Sequence, residues 1–485
     1  MILTLFVIGA ATAPPAVAQV PGQMPAQQTE APAPRSAPLQ MPSTTQTFIG
    51  GVPSGTATAD TITVTVLDAV RRALAHNLGV LTAEEQLGRA QGAHWIALAG
   101  LLPNVNAHVS ETRQILNLAA FGFGSTSTGP FAGIPPLVGP FNVFDARIGV
   151  QQSVFDLNTI NNNRAENHNL SAAKLMQMSA RNFVIHVAGV LYIQALANSA
   201  RADSARAQQQ TAQTLYDQAV DMKNSGLIAG IDVLRAQVQL NAQTQRVTAA
   251  VNDFEKSKLS LARVIGLPLG QKFALDPALP ELPAADLTFE QTIDRALQQR
   301  PDYQAALERV RAAEAARQAV VGELLPSVHV NADYGAIGLT VGSALATYTL
   351  GGAVNVPVFN GGRTKGRLLQ ADADLHQRQT EAEDLKASIH YELQGAFLDL
   401  KATNEQLQVA TRARELAAQQ LTQARDRFAA GVASSVEVVQ AQEAVAVAEE
   451  QFIDARFGYE LAKGAVIRGV GASQDVLKQL IGGTH

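Results

Sequence analysis

The chain has 485 residues, no cysteine and a net charge of −5. Without cysteine there can be no disulfide, thiol catalysis, cysteine-ligated zinc or lipid on an N-terminal cysteine. A mildly acidic chain without a dense run of Lys and Arg lacks the basic surface that nucleic-acid binding needs, so no nucleic acid is expected as a partner. No uninterrupted apolar run of 18 residues follows residue 18, which argues against a membrane-spanning helix. A soluble helical protein and a β-barrel membrane protein remain, because barrel strands leave only a weak hydropathy signal.

The N-terminus predicts export. Residues 1–18 form an apolar stretch with a proline break that ends in Ala16-Val17-Ala18, a pattern typical of a signal peptide, although no basic residue precedes it. A buried N-terminal helix is the alternative. Residues 19–60 are rich in Pro, Gly, Ser and Thr and predict a disordered linker. Export of a chain without cysteine favours the bacterial periplasm or outer membrane.

The remainder of the chain is a tandem duplication of roughly 200 residues. The paired segments follow one another in the same order: Thr65–Leu74 with Thr288–Leu297, Leu101–Pro103 with Leu324–Pro326, Val154-Phe155 with Val358-Phe359, Gly226 with Gly431, and Ala236-Gln237 with Ala441-Gln442. This order predicts a first repeat at 61–270, a connection at 271–286, a second repeat at 287–472 and a C-terminal tail at 473–485.

Each repeat contains two segments in which apolar and polar residues alternate. In the second repeat, the apolar residues Val328, Val330, Ala332 and Tyr334 alternate with the polar residues Ser327, His329, Asn331 and Asp333. A period of two predicts strands, here about ten residues long, and a Gly-rich or Pro-containing loop joins them. A soluble sandwich sheet is one interpretation, and a membrane barrel with one apolar face is the other.

Very long helices follow the strands. Neither Leu157–Ser225 nor Asn360–Ala430 contains proline, and each predicts a helix roughly 100 Å long that ends at Gly226 or Gly431. On the second helix, positions spaced alternately four and three residues apart predict a coiled-coil seam. The seam comprises Ile389, Leu393, Ala396, Leu400, Thr403, Leu407, Ala410, Arg414, Ala417, Leu421, Ala424 and Phe428. Only Arg414 breaks its apolar or small character.

Shorter helices complete each repeat. The first repeat offers Val66–Gly100 and Ile231–Ile265, and the second offers Thr288–Leu324 and Ser435–Val470. Two such helices placed end to end have the length of one long helix. We therefore predict a mainly α-helical rod of coiled-coil hairpins, with the strands at one end and two helical tips at the other.

This combination resembles the outer-membrane efflux protein family, the TolC-like export ducts. The resemblance covers about residues 60–472 and lies in the paired helix starts Thr65–Leu74 and Thr288–Leu297, the paired Leu-Leu-Pro stretches, the segment Val354–Gly362, and the tip sequences Gly226–Val233 and Gly431–Val438.

The resemblance implies a homotrimer in which each protomer contributes four strands to one twelve-stranded barrel in the bacterial outer membrane. The helices would form a periplasmic tunnel that is closed at its tips and opened by a periplasmic adaptor protein and an inner-membrane pump. The implied function is a channel-tunnel that conducts substrates from the periplasm to the exterior, as the outer component of a tripartite efflux or secretion system. The apolar face of its barrel would contact outer-membrane lipid.

No sequence pattern indicates catalysis, so neither enzymatic activity nor a cofactor or metal is expected. Gly469-Val470-Gly471 follows no strand and lacks the third glycine of a dinucleotide fingerprint. The nine histidines form no HExxH pattern. Acidic pairs such as Asp372 and Asp374 are typical of a solvated helix face.

The functional candidates lie at the two tips, where the long helices turn. The predicted gate residues are Asp232, Phe428, Glu437 and Gln440, and the predicted adaptor contacts are Gly226, Leu227, Ala229, Gly230, Gly431, Val432, Ala433 and Ser434. Three copies of Glu437 around an axis would form an acidic constriction that favours cations. The alternative is that Asp232 and Glu437 only stabilise the N-termini of their helices. The resemblance implies a second acid where Gln440 stands and a basic partner for Asp232 where Ala433 stands.

Two other classes stay open on the sequence. A periplasmic adaptor of an efflux pump also has long helical hairpins, but it needs a lipoyl-like β-rich insertion that this sequence does not show. An exported coiled-coil structural protein would explain the seam, but not the strands that recur at equivalent positions.

Overall fold

The computed structural model describes residues 47–121, 135–278 and 288–472. The chain divides into two compact units, Met1–Ser43 and Thr44–His485, and all described residues belong to the second unit. The predicted signal peptide at 1–18 and the predicted tail at 473–485 lie outside the described residues.

Both halves of the second unit contain helices and strands in the same order. The first half contains β1 (Ile62–Val64), α1 (Val66–His76), α2 (Leu78–Ala99), β2 (Asn104–Asn117), β3 (Leu137–Phe155), α3 (Leu157–Asn224) and α4 (Gly230–Val264). The second half contains β4 (Phe273–Leu275), α5 (Phe289–Gln299), α6 (Pro301–Gly322), β5 (Ser327–Gly338), β6 (Leu345–Asn355), α7 (Arg363–Ala429) and α8 (Ser435–Val470). At 68 and 67 residues, α3 and α7 are each roughly 100 Å long.

The opening helix of each repeat is broken, which corrects the predictions of continuous helices over Val66–Gly100 and Thr288–Leu324. The break in the first repeat lies at Asn77, whose ψ is 131°. Its side-chain oxygen accepts a hydrogen bond from the Gly79 amide at 2.8 Å and so caps the N-terminus of the second helix, α2. In the second repeat Arg300 has a ψ of 117° because it precedes Pro301, and proline disfavours a helical conformation in the residue before it.

Arg300 occupies the place in the second repeat that Asn77 holds in the first. Its side chain is almost fully buried, pairs with Asp302 at 2.6 Å and with Glu392 at 2.9 Å, and donates to the carbonyl of Gly469 at 3.4 Å. Although burial opposes the charge, the hydrogen bonds and charges of Asp302 and Glu392 raise the pKa of Arg300 above its ordinary value. The same backbone break is therefore held by an amide in one repeat and by an ion network in the other.

Part of the predicted linker at 19–60 is packed, so the linker prediction extends too far. The ring of Phe48 lies 4.8 Å from that of Phe183 and fills the space above Gly79, where an added Cβ would come within 2.1 Å of it. The amide of Val52 donates to the carbonyl of His76 at 2.8 Å. The stretch from Phe48 to Ser54 therefore packs in part against the helices, whereas residues 55–60 are exposed.

The main core lies where α1, α3, α4 and α8 meet the small parallel sheet of β1 and β4. Tyr192 of α3 is fully buried there, and its hydroxyl lies 2.9 Å from the carbonyl oxygen of Val64 and 2.8 Å from that of Asp276. Burial raises the pKa of Tyr192 to about 12. The predicted connection at 271–286 thus contributes β4 to the core. By length and composition α3 alone among the described helices could span a membrane, but its central residues belong to this core.

The remaining strands form one antiparallel sheet in the order β2-β3-β5-β6. The repeats meet in this sheet where β3 pairs with β5, and Ile148 lies opposite Tyr334. β2 and β6 are edge strands, and neither has a second partner within the described residues. Three successive antiparallel pairings leave β2 and β6 running in opposite directions.

The predicted seam of α7 is confirmed as a packing surface. Its members are buried or half-buried, and Ile389 and Leu393 are fully buried. Arg414, the exception in the pattern, stacks its guanidinium 4.1 Å from the ring centre of Phe452 on α8 and lies 3.8 Å from Glu449. An arginine fits the seam because its planar group packs on an aromatic face while its charge is partnered.

Candidate functional site

Both tips end the long helix with the same hydrogen-bonded turn. Gly226 and Gly431 each have a φ of +73°, which favours glycine because a Cβ is strained in that conformation. The Leu227 amide donates to the carbonyl of Met222 at 2.8 Å, and the Val432 amide donates to that of Arg427 at 2.9 Å. These bonds close the Schellman turn that ends many helices. The two repeats therefore present two loops of the same shape.

The predicted adaptor contacts stand clear of the rest of the chain. Leu227 is 71% exposed and Val432 is 68% exposed, although both are apolar. A Cβ added at Gly226 or Gly431 would meet nothing within 4 Å, and one added at Gly230 would meet only the end of a lysine side chain at 3.9 Å. Ala229 and Ser434 are exposed and Ala433 is half-buried. The adaptor prediction stays a prediction, and the loops are open to a partner.

Asp232 joins the two repeats. It lies in the first turn of α4, and its carboxylate accepts from the hydroxyl of Ser435, at the start of α8, at 2.6 Å. Arg235 pairs with the same carboxylate at 3.2 Å. Asp232 therefore has two partners even though Ala433 supplies none. Sequence reasoning missed Ser435, because its partner lies about 200 residues away in the other repeat.

Glu437 has a different partner, on its own hairpin. Its carboxylate lies 3.4 Å from the guanidinium of Arg427, near the end of α7, and both side chains are substantially exposed. Gln440, one turn later on α8, is exposed. A ring of Glu437 side chains would therefore carry an arginine beside each acid.

Phe428 lies beneath the tips and is only 7% exposed. It packs with Leu215, Val438 and Met222, so it joins α3, α7 and α8 into a small apolar cluster. Of the four predicted gate residues it is the one whose side chain packs in a core rather than at the surface. Its aromatic ring holds the hairpins together below the polar contacts.

A second polar link between the repeats lies further up the same helices. Glu443 of α8 accepts from Gln239 at 2.8 Å and from Gln243 at 3.3 Å, and it pairs with Arg246 at 2.9 Å, all three on α4. Despite partial burial, the hydrogen bonds and charge of these partners hold the pKa of Glu443 below its ordinary value of 4.5. Nothing in the sequence marks this cluster, because its members come from two repeats and share no motif.

The sheet separates apolar from polar side chains. One face carries the predicted apolar set of β5, extended across β6 by Tyr348 and Leu350, which are highly exposed. The other face carries mainly amides and hydroxyls, such as Asn106, Gln151 and Thr349. Within the described part of the chain, no group of three or more His, Cys, Asp or Glu side chains is placed to hold a metal.

Comparison with known proteins relates this arrangement to outer-membrane efflux proteins. A model of the outer membrane efflux protein family matches residues 292–471, most of the second repeat. The pyoverdine export outer membrane protein OpmQ of Pseudomonas putida is 24% identical over 405 residues, which cover 79% of this chain and 80% of that protein. The outer membrane efflux protein BepC of Brucella suis is 24% identical over 245 residues, covering 50% of this chain and 52% of that protein.

Solved structures show the same fold. The CmeC outer membrane channel of Campylobacter jejuni superposes with a TM-score of 0.73 at 17% identity, covering 84% of this chain and 86% of that one. The outer membrane protein VceC of Vibrio cholerae has a TM-score of 0.71 at 19% identity, covering 84% of this chain and 96% of that one. These relatives are channels and efflux proteins rather than enzymes. The second repeat therefore contains an outer membrane efflux protein domain, the chain has the fold of outer-membrane channels, and its relatives place it in the bacterial outer membrane.

Proposed function

We propose that the protein is a homotrimeric channel-tunnel that conducts substrates from the periplasm to the exterior, as the outer component of a tripartite efflux or secretion system. Its partners would be a periplasmic adaptor protein, an inner-membrane pump and outer-membrane lipid. One relative is named for pyoverdine export, which makes an organic solute a reasonable first substrate to test.

The sheet carries the proposal. Its apolar face suits lipid, but within the described residues the outer edges of β2 and β6 each leave a row of backbone N–H and C=O groups without partners. In a bilayer each unpaired group costs several kcal/mol, so an open sheet is not stable there. Because β2 and β6 run in opposite directions, β2 of one copy can continue the antiparallel pattern beside β6 of the next. Three copies of four strands would close twelve strands.

The helices offer a second surface for neighbouring copies. Tyr391, Leu398, Val409 and Leu416 are exposed apolar residues of α7, spaced 7, 11 and 7 residues apart. Steps of 7 and 11 are close to whole numbers of helical turns, so these residues share one face. That face differs from the seam that packs on α8. Helices of an adjacent copy would cover it in a tunnel.

The tips would receive the adaptor and hold the gate. The two loops of each chain are exposed and alike, so a trimer would offer six of them to a partner that approaches end-on. Small residues at Gly230 and Ser434 allow a partner's backbone to come close. Asp232 with Ser435 and Glu443 with Arg246 would hold the two hairpins of each chain together while the gate is closed.

Tip variants test this assignment of roles. Gly230→Glu and Ser434→Glu place a bulky charge on exposed loops, so we expect efflux to be lost while a heat-resistant trimer still forms in outer-membrane fractions. Gln451→Glu, on the exposed side of α8 and far from the tip, is a matched control that adds the same charge away from the loops and should preserve efflux. Normal efflux in both loop variants would remove the tips from the adaptor contact, and a monomer in the wild-type membrane fraction would refute the trimer.

A further inference from the structure

A charged cluster stands at the centre of the polar face of the sheet. The guanidinium of Arg147, on β3, pairs with Asp145 of the same strand at 2.7 Å and with Asp333 of β5 at 2.8 Å. All three side chains are partly exposed. The contact joins the two repeats, because Arg147 belongs to the first and Asp333 to the second.

The backbone opposite Arg147 makes room for this geometry. Gly335 is the β5 residue that pairs with Arg147, and a Cβ on it would come within 2.3 Å of the Arg147 Cβ and of the Ala146 carbonyl oxygen. A larger residue at Gly335 would push the strands apart or the arginine away. The cluster is therefore built by three charged residues and one glycine.

Charge is otherwise scarce on this sheet. The described residues of β2, β3, β5 and β6 include five that carry full charge at neutral pH: Glu111, Arg113, Asp145, Arg147 and Asp333. Glu111 and Arg113 occupy the alternate positions of β2, on the opposite face of the sheet from Asp145 and Arg147. The polar face also carries two histidines, His108, the β2 residue paired with Arg147, and His329 of β5. Two carboxylates and one guanidinium leave a net charge of 1 − 2 = −1 on the polar face.

We propose that Asp145, Arg147 and Asp333 give the barrel a fixed negative ring that makes the duct prefer cations and cationic solutes over anions. The inference rests on the proposed trimeric barrel, in which the polar face lines the water-filled lumen. Three copies would place a net charge of −3 on one level of the wall. Rings of acidic side chains are a common source of cation preference in pores.

Salt sets the range over which such a ring acts. The screening length around a solvent-exposed charge is about 10 Å in 0.1 M salt and about 3 Å in 1 M salt. A ring on the wall of a wide lumen therefore acts on ions near the axis only when salt is dilute. Cation preference should be clear in a gradient of dilute KCl and should fade as the salt approaches 1 M.

Single-channel recordings on the purified full-length protein test the proposal. The measured quantity is the reversal potential in a tenfold KCl gradient at low salt. Asp145→Asn and Asp333→Asn each leave Arg147 with one partner and bring the net charge of the cluster to zero, so each should weaken cation preference. Arg147→Gln leaves two carboxylates and should strengthen it. Glu111→Gln is the matched control, because it removes the same charge from the opposite face and should change nothing.

The outcomes separate this inference from the proposed function. Channels that conduct, with the same reversal potential in wild type, Asp145→Asn and Asp333→Asn, would overturn the charged ring and leave the duct intact. Failure of the wild-type protein to form trimers or conducting channels would instead overturn the duct. If Arg147→Gln fails to insert, the two Asn variants still decide the question, because each keeps one Arg147 ion pair.

Discussion

At the sheet end of the long helices, the outward-facing backbone groups of the edge strands β2 and β6 lack partners within the described residues, whereas near the tips the side chains of the two repeats bond to each other. Ser435 reaches Asp232, and Arg246 reaches Glu443, from one repeat to the other. The hydrogen bonding of the sheet therefore needs a second copy of the chain, whereas the contacts between the two tips form within one chain.

This difference shows where assembly and opening can take place. Closing the sheet gives hydrogen-bond partners to whole rows of unpaired backbone groups. Assembly should therefore be strongly favoured and hard to reverse in lipid. The polar contacts between the repeats near the tips are a few partly exposed side-chain bonds, each worth about 1 kcal/mol or less, and they lie beside the apolar cluster around Phe428. A partner that binds the tips could break them without disturbing the barrel. Four substitutions probe this contrast, from the sheet to the tips.

The largest effect is expected on the apolar face of the sheet. Val330→Arg places a charge toward lipid, which costs about 2–4 kcal/mol per chain near the middle of a bilayer and should block trimer assembly. His329→Arg puts the same side chain on the polar face of the same strand and should be tolerated. The readout is the amount of trimer in membrane fractions. Equal yields of trimer from both variants would contradict the assignment of the two faces.

The next effect is expected on the seam of α7. Leu400→Asp removes a half-buried side chain from the packing surface and should lower stability by about 1–2 kcal/mol, less than the roughly 1.5–3 kcal/mol of a fully buried leucine. Gln406→Asp, on the exposed side of the same helix, should have little effect. Thermal unfolding of the trimer measures both. If the two variants unfold at the same temperature, α7 does not pack through its seam.

A smaller effect is expected where α4 meets α8. Glu443→Gln keeps the shape but removes the charge that pairs with Arg246, so we expect the tips to open more often in single-channel recordings. The pKa of Glu443 is lower in the folded protein than its ordinary value of 4.5. Its stabilising contribution is therefore complete above pH 4.5 and is lost as the pH falls below it. Acid should open the wild-type channel and leave Glu443→Gln unchanged, and an identical acid response in both would exclude this contact from gating.

The smallest effect is expected at Glu437. Glu437→Gln removes an acid from the first turn of α8, which should cost about 0.3–1 kcal/mol of stability. It also leaves Arg427 without its carboxylate, so the tip becomes more positive and cation preference should fall. Ion selectivity in single-channel recordings decides between a gate residue and a helix-capping residue. Unchanged selectivity would leave Glu437 with only its role in the helix.

Local patterns predicted the long helices, the alternating strands and the seam, because burial on one face imposes a fixed period on the sequence. Contacts between repeats were beyond prediction. Asp232 was singled out for its position in the helix, but its partner Ser435 is set by how two hairpins pack. The helix break at Asn77 was missed for a similar reason. The side-chain amide of Asn77 donates to the carbonyl of Phe48 and accepts from the backbone amide of Gly79 at the start of α2, and no proline marks the break in that repeat.

Closure of the barrel between copies is the central claim, and the absence of cysteine allows a direct test. Ala107→Cys in β2 can be combined in turn with a cysteine at each position on the same face of β6, namely Ala346, Tyr348, Leu350, Gly352 and Val354. A disulfide needs Cβ atoms about 3.5–4.5 Å apart, so only a residue beside Ala107 in the next copy can link to it. Oxidation in outer-membrane fractions should join up to three chains for at least one pair, while single-cysteine variants form no such ladder. No covalent trimer from any of the five pairs would contradict closure through β2 and β6.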